Sequence, residues 1–213
     1  MERIKVVGVG PGTEDYLTPA AQKAAAWADV LVGGRKSLAL FKGLGKPEVV
    51  LDGRLERAVA FIKENRNKKI AVLVSGDPGF FSFLAYLRRH FAQRELEVIP
   101  GISSVQVAFA RACLPWQDAG FFSLHGRNGD RVMAEGVLPA VEAGKKVAVL
   151  AGSDYTPQKV ASFLLQRGVR GVRLLVAGRL TYPEEKVVAG SLEFMANCPE
   201  EFNGCVVLIA DEF

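Results

Sequence analysis

Short apolar runs alternate with amphipathic segments along most of the chain. An unbroken run of about 4–8 apolar residues is typical of a strand buried on both faces, whereas apolar residues spaced by three and four indicate a helix. Residues 70–74 form the clearest run, and residues 54–67 carry apolar side chains on one helical face. The alternation predicts an α/β fold, with a mostly parallel sheet in the first half and a mixed sheet in the second.

The predicted elements fall into two groups, separated by a break in the pattern. The predicted strands are residues 3–9, 30–34, 48–51, 70–74, 96–99, 121–124, 147–150, 173–177 and 205–210, with a hairpin around 186–189. The predicted helices are residues 19–28, 54–67, 79–91 and 130–143, with two further helices that begin at Ser103-Ser104 and Thr156-Pro157. The break is the segment 114–117, so we predict two α/β domains, residues 1–113 and 114–213.

Glycine-rich turns follow several predicted strands, at the edge where an open α/β sheet binds small ligands. The first turn, residues 8–12, reads Gly-Val-Gly-Pro-Gly and invites comparison with a dinucleotide fingerprint. That fingerprint needs a helix that begins at the turn, and the next helix signal is Thr18-Pro19. We therefore do not expect a nicotinamide-nucleotide enzyme. The turn is either a rigid connection or part of another ligand site.

The turn Ser75-Gly76-Asp77 follows the most apolar strand. Asp77 and Pro78 together form a helix-start signal, with Asp at the N-cap and Pro at the first helical position. They predict a helix over residues 79–91, whose phenylalanines we expect in the core, with Phe80 as the exception. An acid at this turn could also contact a bound ligand, and the two roles are compatible.

The turn Pro100-Gly101 is followed by Ser103-Ser104, and Gln106 is placed for a capping box with Ser103. These serines are therefore either helix caps or ligand contacts.

Composition excludes several classes of protein. Hydrophobic residues make up 49% of the chain and charged residues 23%, which is typical of a globular protein, and the net charge of +4 is not concentrated in a nucleic-acid-binding stripe. No apolar run approaches the roughly 20 residues of a membrane span, and the amino terminus runs directly into a strand, so we expect no signal peptide. The 3 cysteines and 2 histidines lack metal-ligand spacing. We therefore expect a reduced, cytoplasmic protein without a metal.

The motifs together resemble those of the tetrapyrrole (corrin/porphyrin) methyltransferases, which use S-adenosylmethionine. The shared segments are residues 8–12, 17–19, 75–79 and 100–104. Further segments resemble the branch of that family that methylates C5 in cobalamin synthesis, namely residues 32–35, 124–127, 180–185 and 114–118. The chain departs from the family at Ala177-Gly178, where relatives often carry Glu-Asn, so a side-chain contact there is in question.

The resemblance implies a two-domain α/β fold, a homodimer, and a cleft between the domains that holds the cofactor and the macrocycle. The cofactor contacts it implies are Pro11, Ser75, Gly76, Asp77, Phe80, Ser103, Ser104 and Gly178. The implied reaction passes a methyl group from S-adenosylmethionine to C5 of a cobalt-precorrin. Some relatives carry a fused domain for C15 methylation and decarboxylation. Because this chain ends at Phe213, we expect a separate polypeptide to supply that activity.

The rim of such a substrate carries acetate and propionate carboxylates, which a guanidinium group binds in bidentate fashion. The substrate contacts that we expect are Arg35, His125 and Arg127. A lone histidine is more often structural, and that alternative stays open for His125. No Ser-His-Asp or Cys-His set is recognisable and no residue declares itself a general base, so no catalytic residue is assigned.

Two other functions fit the same turns. A methylase of this fold that acts on RNA or on a protein side chain would need a basic, aromatic-lined surface. A regulatory module that senses an adenosyl ligand would keep the adenosyl turns without the substrate motifs. The molecule that co-purifies with the protein would distinguish the three functions. A corrinoid is expected for the tetrapyrrole methylase, an RNA for the RNA methylase, and an adenosyl ligand alone for the regulatory module.

Overall fold

The computed structural model describes residues 2–125, 128–202 and 204–213. The chain divides into two compact units, the first ending at Ser103 and the second beginning at Ser104. The boundary predicted from the sequence follows Cys113 instead, at the far end of helix α5 (Ser104–Arg111). The two boundaries differ because α5 packs against the last strand, β10 (Cys205–Ala210), and so belongs with the second unit.

The first unit contains a five-stranded sheet in which every pairing is parallel. Its strands are β1 (Ile4–Gly8), β2 (Val30–Gly33), β3 (Glu48–Val50), β4 (Ile70–Val74) and β5 (Leu96–Ile99), in the order β3-β2-β4-β1-β5. Its helices are α1 (Pro19–Trp27), α2 (Arg35–Ala39), α3 (Leu55–Glu64) and α4 (Leu84–Leu87), with short 3-10 helices at Glu14–Tyr16, Lys42–Leu44 and Gln93–Glu95.

Successive residues of the central strands enter two different apolar cores. Val6 and Val72 belong to a core that α3 closes, while Val7 and Leu73 belong to a core that α1 closes. Since successive side chains of a strand point to opposite faces, the sheet is covered on both sides. This explains why its strands are continuous apolar runs.

The second unit contains a five-stranded mixed sheet in the order β6-β7-β10-β8-β9. The further strands are β6 (Gly120–Ser123), β7 (Val147–Ala151), β8 (Arg173–Gly178) and β9 (Lys186–Ser191). The further helices are α6 (Gly129–Val132), α7 (Leu138–Glu142), α8 (Pro157–Gln166) and α9 (Leu192–Ala196). Only the β6–β7 pairing is parallel among these strands, and residues of α7, α8 and α9 share one apolar core with the sheet.

The predicted fold class is confirmed, and the strands agree with the prediction to within a residue or two at each end. Helices α2 and α9 were not predicted. The predicted helix 130–143 is helical but changes to a π-helix at Met133–Val137, directly before α7. Pro139 lacks the N–H that an α-helix would use there, which accounts for a local departure from α geometry.

Within the residues that the structure describes, no helix combines the length and the apolar character that crossing a membrane requires.

Candidate functional site

Three glycine turns of the first unit lie side by side at the carboxyl edge of its sheet. They follow β1, β4 and β5, which are adjacent in the order β4-β1-β5, and the strand register brings the ends of these strands to the same level. The Gly76 N–H donates to the Gly10 carbonyl at 2.8 Å, which joins the first two turns directly. Three of the segments that carried the family resemblance, residues 8–12, 75–79 and 100–104, therefore meet in space.

The backbones at this junction are too close for any side chain. A Cβ atom on Gly8 would lie 2.6 Å from both the Gly101 nitrogen and the Gly76 oxygen, and a Cβ atom on Gly101 would lie 2.7 Å from the Gly8 carbonyl carbon. Gly10 and Gly76 also have φ values of 79° and 71°, which glycine adopts without steric cost. The spacing of the turns thus depends on glycine at each position.

The Asp77 carboxylate fixes two of the turns to each other. Its Oδ1 accepts from the Gly79 N–H at 2.7 Å, and its Oδ2 accepts from the Gly101 N–H at 3.0 Å. The prediction that Asp77 is the N-cap of a helix is wrong, because residues 78–83 form turns and bends. The side chain instead closes a local turn and braces the Pro100-Gly101 turn.

The predicted helix over residues 79–91 is reduced to the single turn α4. Phe81 has a φ of 46°, a left-handed conformation that interrupts a right-handed helix. Its ring is 55% exposed and meets the Phe80 ring edge-to-face, with the centroids 4.8 Å apart. The expectation that Phe81 lies in the core is therefore wrong, while Phe91 is buried as expected.

The remaining predicted cofactor residues of the first unit lie around the same junction. Ser75 is exposed, Pro11 is half-buried directly after Gly10, and Ser103 is buried. Apart from its chain neighbours, the only described atom within 4 Å of a Cβ atom on Gly76 would be the Ser103 Cα, at 3.7 Å. One face of the Gly76 backbone is thus open, with Ser103 at its border.

Arg35 is the first residue of α2 and follows the carboxyl end of β2, next to β4 in the sheet. Its side chain is exposed. The sequence placed it after a strand, and the structure adds that it begins a short helix at the same sheet edge as the glycine turns.

In the second unit, the loops after β6, β7 and β8 share one edge of the sheet. Strand β8 runs in the same direction as β7, because both are antiparallel to β10, and β6 is parallel to β7. Ala151 and Gly178, the last residues of β7 and β8, both pair with Cys205, so these two strands end at the same level. We expect the ligand contacts of the second unit at this edge of the sheet.

His125 lies at this edge, in the loop after β6. Its Nδ1 atom is 3.3 Å from the Ser123 hydroxyl oxygen, and its exposed ring lies over Gly152, where a Cβ atom would come within 3.2 Å of Cδ2. The loop after β7 packs back in the same way, because the Tyr155 ring fills the space where a side chain on Gly129 would lie. The predicted substrate residue Arg127 is outside the described residues.

The loop after β8 follows the predicted contact Gly178, which is buried. Arg179 and Thr181 have φ values of 51° and 71°, which are unfavourable for residues with side chains. Arg179 contacts the Glu184 carboxylate at 3.0 Å and lies over the Tyr182 ring. The loop is therefore held in a strained backbone conformation.

Glu185 ends this loop and binds a residue of α5. The Arg111 Nε donates to Glu185 Oε1 at 2.5 Å, the Arg111 Nη2 donates to Oε2 at 3.1 Å, and the Thr181 N–H donates to Oε2 at 2.6 Å. The Arg111 guanidinium holds the pKa of the Glu185 carboxyl below its usual value. Sequence reasoning missed this pair, because the partners are 74 residues apart and no local pattern connects them.

Among the described residues, no group of three or more His, Cys, Asp and Glu side chains is arranged to hold a metal ion. Among the described residues, the groups available at the two sheet edges are backbone amides, the carboxylates of Asp77, Glu184 and Glu185, and the other polar side chains described above.

Comparison with curated proteins gives full-length relatives. The chain is 33% identical over 205 residues to the cobalt-precorrin-7 C(5)-methyltransferase of Salmonella typhimurium, covering 96% of this chain and 98% of that protein. It is 31% identical over 210 residues to the precorrin-6Y C(5,15)-methyltransferase [decarboxylating] of a Sinorhizobium species. That alignment covers 97% of this chain but only 49% of the relative, so the chain spans about half of the longer protein.

Comparison with solved structures gives the same fold. The methyltransferase CobJ superimposes with a TM-score of 0.83 at 25% identity, covering 99% of this chain and 94% of that one. The uroporphyrin-III C-methyl transferase of Thermus thermophilus, solved in complex with S-adenyl homocysteine, superimposes with a TM-score of 0.75 at 21% identity, covering 98% and 92%.

The sequence also matches a family, the Tetrapyrrole (Corrin/Porphyrin) Methylases, over residues 3–196. That match includes all three glycine turns of the first unit and the loop after β8 in the second. Since it spans almost the whole chain, the chain belongs to the tetrapyrrole (corrin/porphyrin) methylase family.

Proposed function

We propose that this protein is an S-adenosylmethionine-dependent methyltransferase that methylates C5 of a cobalt-precorrin in cobalamin biosynthesis. The observation that carries the proposal is the end-to-end similarity to the Salmonella cobalt-precorrin-7 C(5)-methyltransferase. Family membership by itself supports only a tetrapyrrole methylase. The identity of the methylated carbon comes from the named relatives.

The adenosyl ligand is proposed to bind against the glycine junction of the first unit. The proposed contacts are Pro11, Ser75, Gly76, Asp77, Phe80, Ser103, Ser104 and Gly178. Two observations support this. The open face of Gly76 leaves space for a ligand to approach the turn, and the Asp77 carboxylate offers a negative charge to a cationic donor. A Thermus thermophilus member with the same fold was solved with S-adenyl homocysteine.

The macrocycle is proposed to present its carboxylates to Arg35, His125 and Arg127. The exposed guanidinium of Arg35 is available for bidentate pairing. Ser123 accepts from the His125 backbone N–H at 3.4 Å, and its hydroxyl oxygen lies 3.3 Å from Nδ1. These contacts hold the exposed His125 ring at the sheet edge where the substrate is proposed to bind.

In the proposed reaction, the donor supplies an activated methyl group on a positively charged sulfur. The bond between C5 and the methyl carbon forms as the bond between the methyl carbon and sulfur breaks. The sulfur keeps the electron pair and becomes a neutral thioether, and C5 then loses its proton to solvent. The protein's part is to hold the donor against the glycine turns and to orient the macrocycle through its carboxylates. Orientation of two bound reactants can supply roughly 7–11 kcal/mol of the barrier.

Two partners belong to the proposal. The Sinorhizobium relative is named as a C(5,15)-methyltransferase with a decarboxylating activity and is about twice as long as this chain. We propose that a separate polypeptide performs the C15 and decarboxylation steps for the present protein, and that the present protein acts as a homodimer in the cytoplasm.

The test is a reaction with a labelled methyl donor and a cobalt-precorrin-7 pool, with mass spectrometry and NMR of the product. A mass gain of one methyl group, with the label on C5, supports the proposal. Label on another carbon would keep the family activity and overturn the C5 assignment. Label on RNA or protein, or adenosyl binding without any transfer, would favour the two other functions that the sequence leaves open.

A further inference from the structure

The loop at residues 179–185 has a backbone that must be held in place by other contacts. Arg179 and Thr181 both have φ in the left-handed region, and Thr181 is β-branched, which makes this conformation especially unfavourable. Strained residues of this kind persist only where the surroundings over-determine them, and they occur most often at ligand clamps and active sites. The loop also follows the carboxyl end of β8, the edge at which α/β sheets bind ligands.

The Glu185 carboxylate is a contact that connects the loop to another element. One of its oxygens accepts from Arg111 Nε, and the other accepts from both Arg111 Nη2 and the N–H of the strained Thr181. A bidentate arginine–carboxylate pair fixes direction as well as distance. The same carboxylate therefore ties the loop backbone to α5.

One end of this connection adjoins the proposed contact Gly178, and the other lies on the helix that begins at the proposed contact Ser104. Arg111 is the last residue of α5, whose first residue is Ser104, and the loop begins directly after Gly178. Because a short helix is a rigid element, fixing Arg111 also fixes the direction in which the start of α5 points relative to the loop. The ion pair thus links the helix that carries Ser104 to the loop that follows Gly178.

We propose that Glu185, acting through Arg111, is a positioning residue that keeps residues 179–185 in the conformation required to bind the adenosyl ligand. The inference rests on the proposed function, since the ligand is the one assigned there. It concerns a residue outside the set of proposed contacts and a role that the relatives' names do not describe.

The chain offers a matched control in the adjacent residue. Glu184 also pairs with an arginine of the same loop, Arg179, but its side chain is 65% exposed against 20% for Glu185, and it bonds no residue of α5. Glu184→Gln therefore removes the same charge from the same loop without releasing the connection to α5.

The experiment measures the affinity for S-adenosylhomocysteine by calorimetry, and the melting temperature without ligand, in wild type, Glu185→Gln, Glu184→Gln, Arg111→Gln and the 111/185 double variant. We expect Glu185→Gln to weaken binding about tenfold, the size associated with one lost charge-assisted hydrogen bond. Glu184→Gln should change affinity less than twofold. Arg111→Gln should add no further loss when Glu185 is already replaced, because both changes break one connection.

Each outcome has a separate meaning. If the wild type does not bind S-adenosylhomocysteine, the proposed function fails and the positioning role fails with it. If the wild type binds and Glu185→Gln binds equally well, only the positioning role is overturned. A lower melting temperature with unchanged affinity means that the pair is merely structural. Should Glu185→Gln not fold, Arg111→Lys, which keeps the charge but loses the fork, must weaken binding at least threefold, and unchanged affinity would reject the proposal.

Discussion

Replacing Gly101 with alanine tests whether the close approach of the glycine turns sets both stability and ligand binding. Gly101 lies against Gly8 and Gly76, and its N–H donates to the Asp77 carboxylate at 3.0 Å. Its φ is outside the left-handed region, so alanine can adopt the same backbone angles. The substitution therefore isolates the steric effect of one added carbon atom.

The size of the effect follows from what the new methyl group would meet. It would lie 2.7 Å from the Gly8 carbonyl carbon and 2.8 Å from the Gly8 Cα, and it would come closer still to the Gly76 carbonyl oxygen. These atoms belong to the backbone at the ends of two buried strands, so no side chain can rotate to make room. Overpacking of this kind costs about 1–3 kcal/mol, which for a chain of this length lowers the melting temperature by about 2–12 °C.

The assay combines thermal unfolding with calorimetric titration of S-adenosylhomocysteine. We expect Gly101→Ala to unfold at a lower temperature and to lose most of its affinity, because the turn that carries Gly76 and Asp77 must move away. Gly43→Ala is the control, since a Cβ atom there meets nothing within 4 Å and its φ is not positive. That variant should match the wild type in both measurements.

One result would refute the reasoning. If Gly101→Ala melts within about 1 °C of the wild type and binds the ligand equally well, the junction tolerates expansion and its glycines are not required by packing. A lower melting temperature with unchanged affinity would keep the steric argument but separate the junction from the ligand site.

Four further predictions follow from single side chains. Asp77→Asn keeps only one of the two acceptors that bind backbone N–H groups, so it should lose about 1 kcal/mol of stability in urea unfolding and also weaken adenosyl binding; wild-type values for both would contradict the bracing role. Arg35→Lys keeps the charge but loses the guanidinium fork, so affinity for a corrinoid analogue should fall about tenfold while adenosyl affinity is unchanged, and an unchanged corrinoid affinity would make Arg35 structural. Cys113 is exposed whereas Cys198 and Cys205 are buried, so a thiol reagent should modify one thiol in the native protein and three after denaturation. Burial raises the pKa of Cys205 from 9.0 to about 12, so the stability it contributes is complete below about pH 9 and is lost as the pH rises toward 12, which alkaline unfolding of Cys205→Ser would reveal.

The fold could be predicted from the sequence because the first sheet is parallel and covered on both faces. Because both faces of such a sheet are buried, each strand is an unbroken apolar run in the sequence. All five residues of the run 70–74 are buried. The short helices were harder to predict. Helix α9 has five residues and too little length for a periodic pattern, although Ser191, whose hydroxyl accepts from the Phe194 N–H at 3.2 Å, was a usable start signal.

At the candidate site, the sequence identified the glycine turns that lie together at the sheet edge, but not the contacts that each residue makes within them. Asp-Pro is a valid helix-start signal, and it led to a helix that the structure does not contain. Tertiary contacts outweigh this local helix-start signal. The Asp77 carboxylate is used by the Gly101 N–H of a different turn, and left-handed Phe81 prevents a helix from beginning at Pro78. A local signal was overruled by a contact that only the folded sheet creates.

The Arg111–Glu185 pair shows why such contacts escape sequence reasoning altogether. Each residue alone is an ordinary charge on a helix end or in a loop, and most such charges are solvated. The positioning role is inferred from the unfavourable φ of Thr181 and from its N–H bond to Glu185, and both are visible only in the three-dimensional structure. The Glu185 carboxylate bonds both a remote arginine and a strained backbone N–H, so its hydrogen bonds fix the conformation of the loop as well as balancing a charge. For that reason the ligand affinity of Glu185 variants, and not their stability alone, is the measurement that reveals what the pair does.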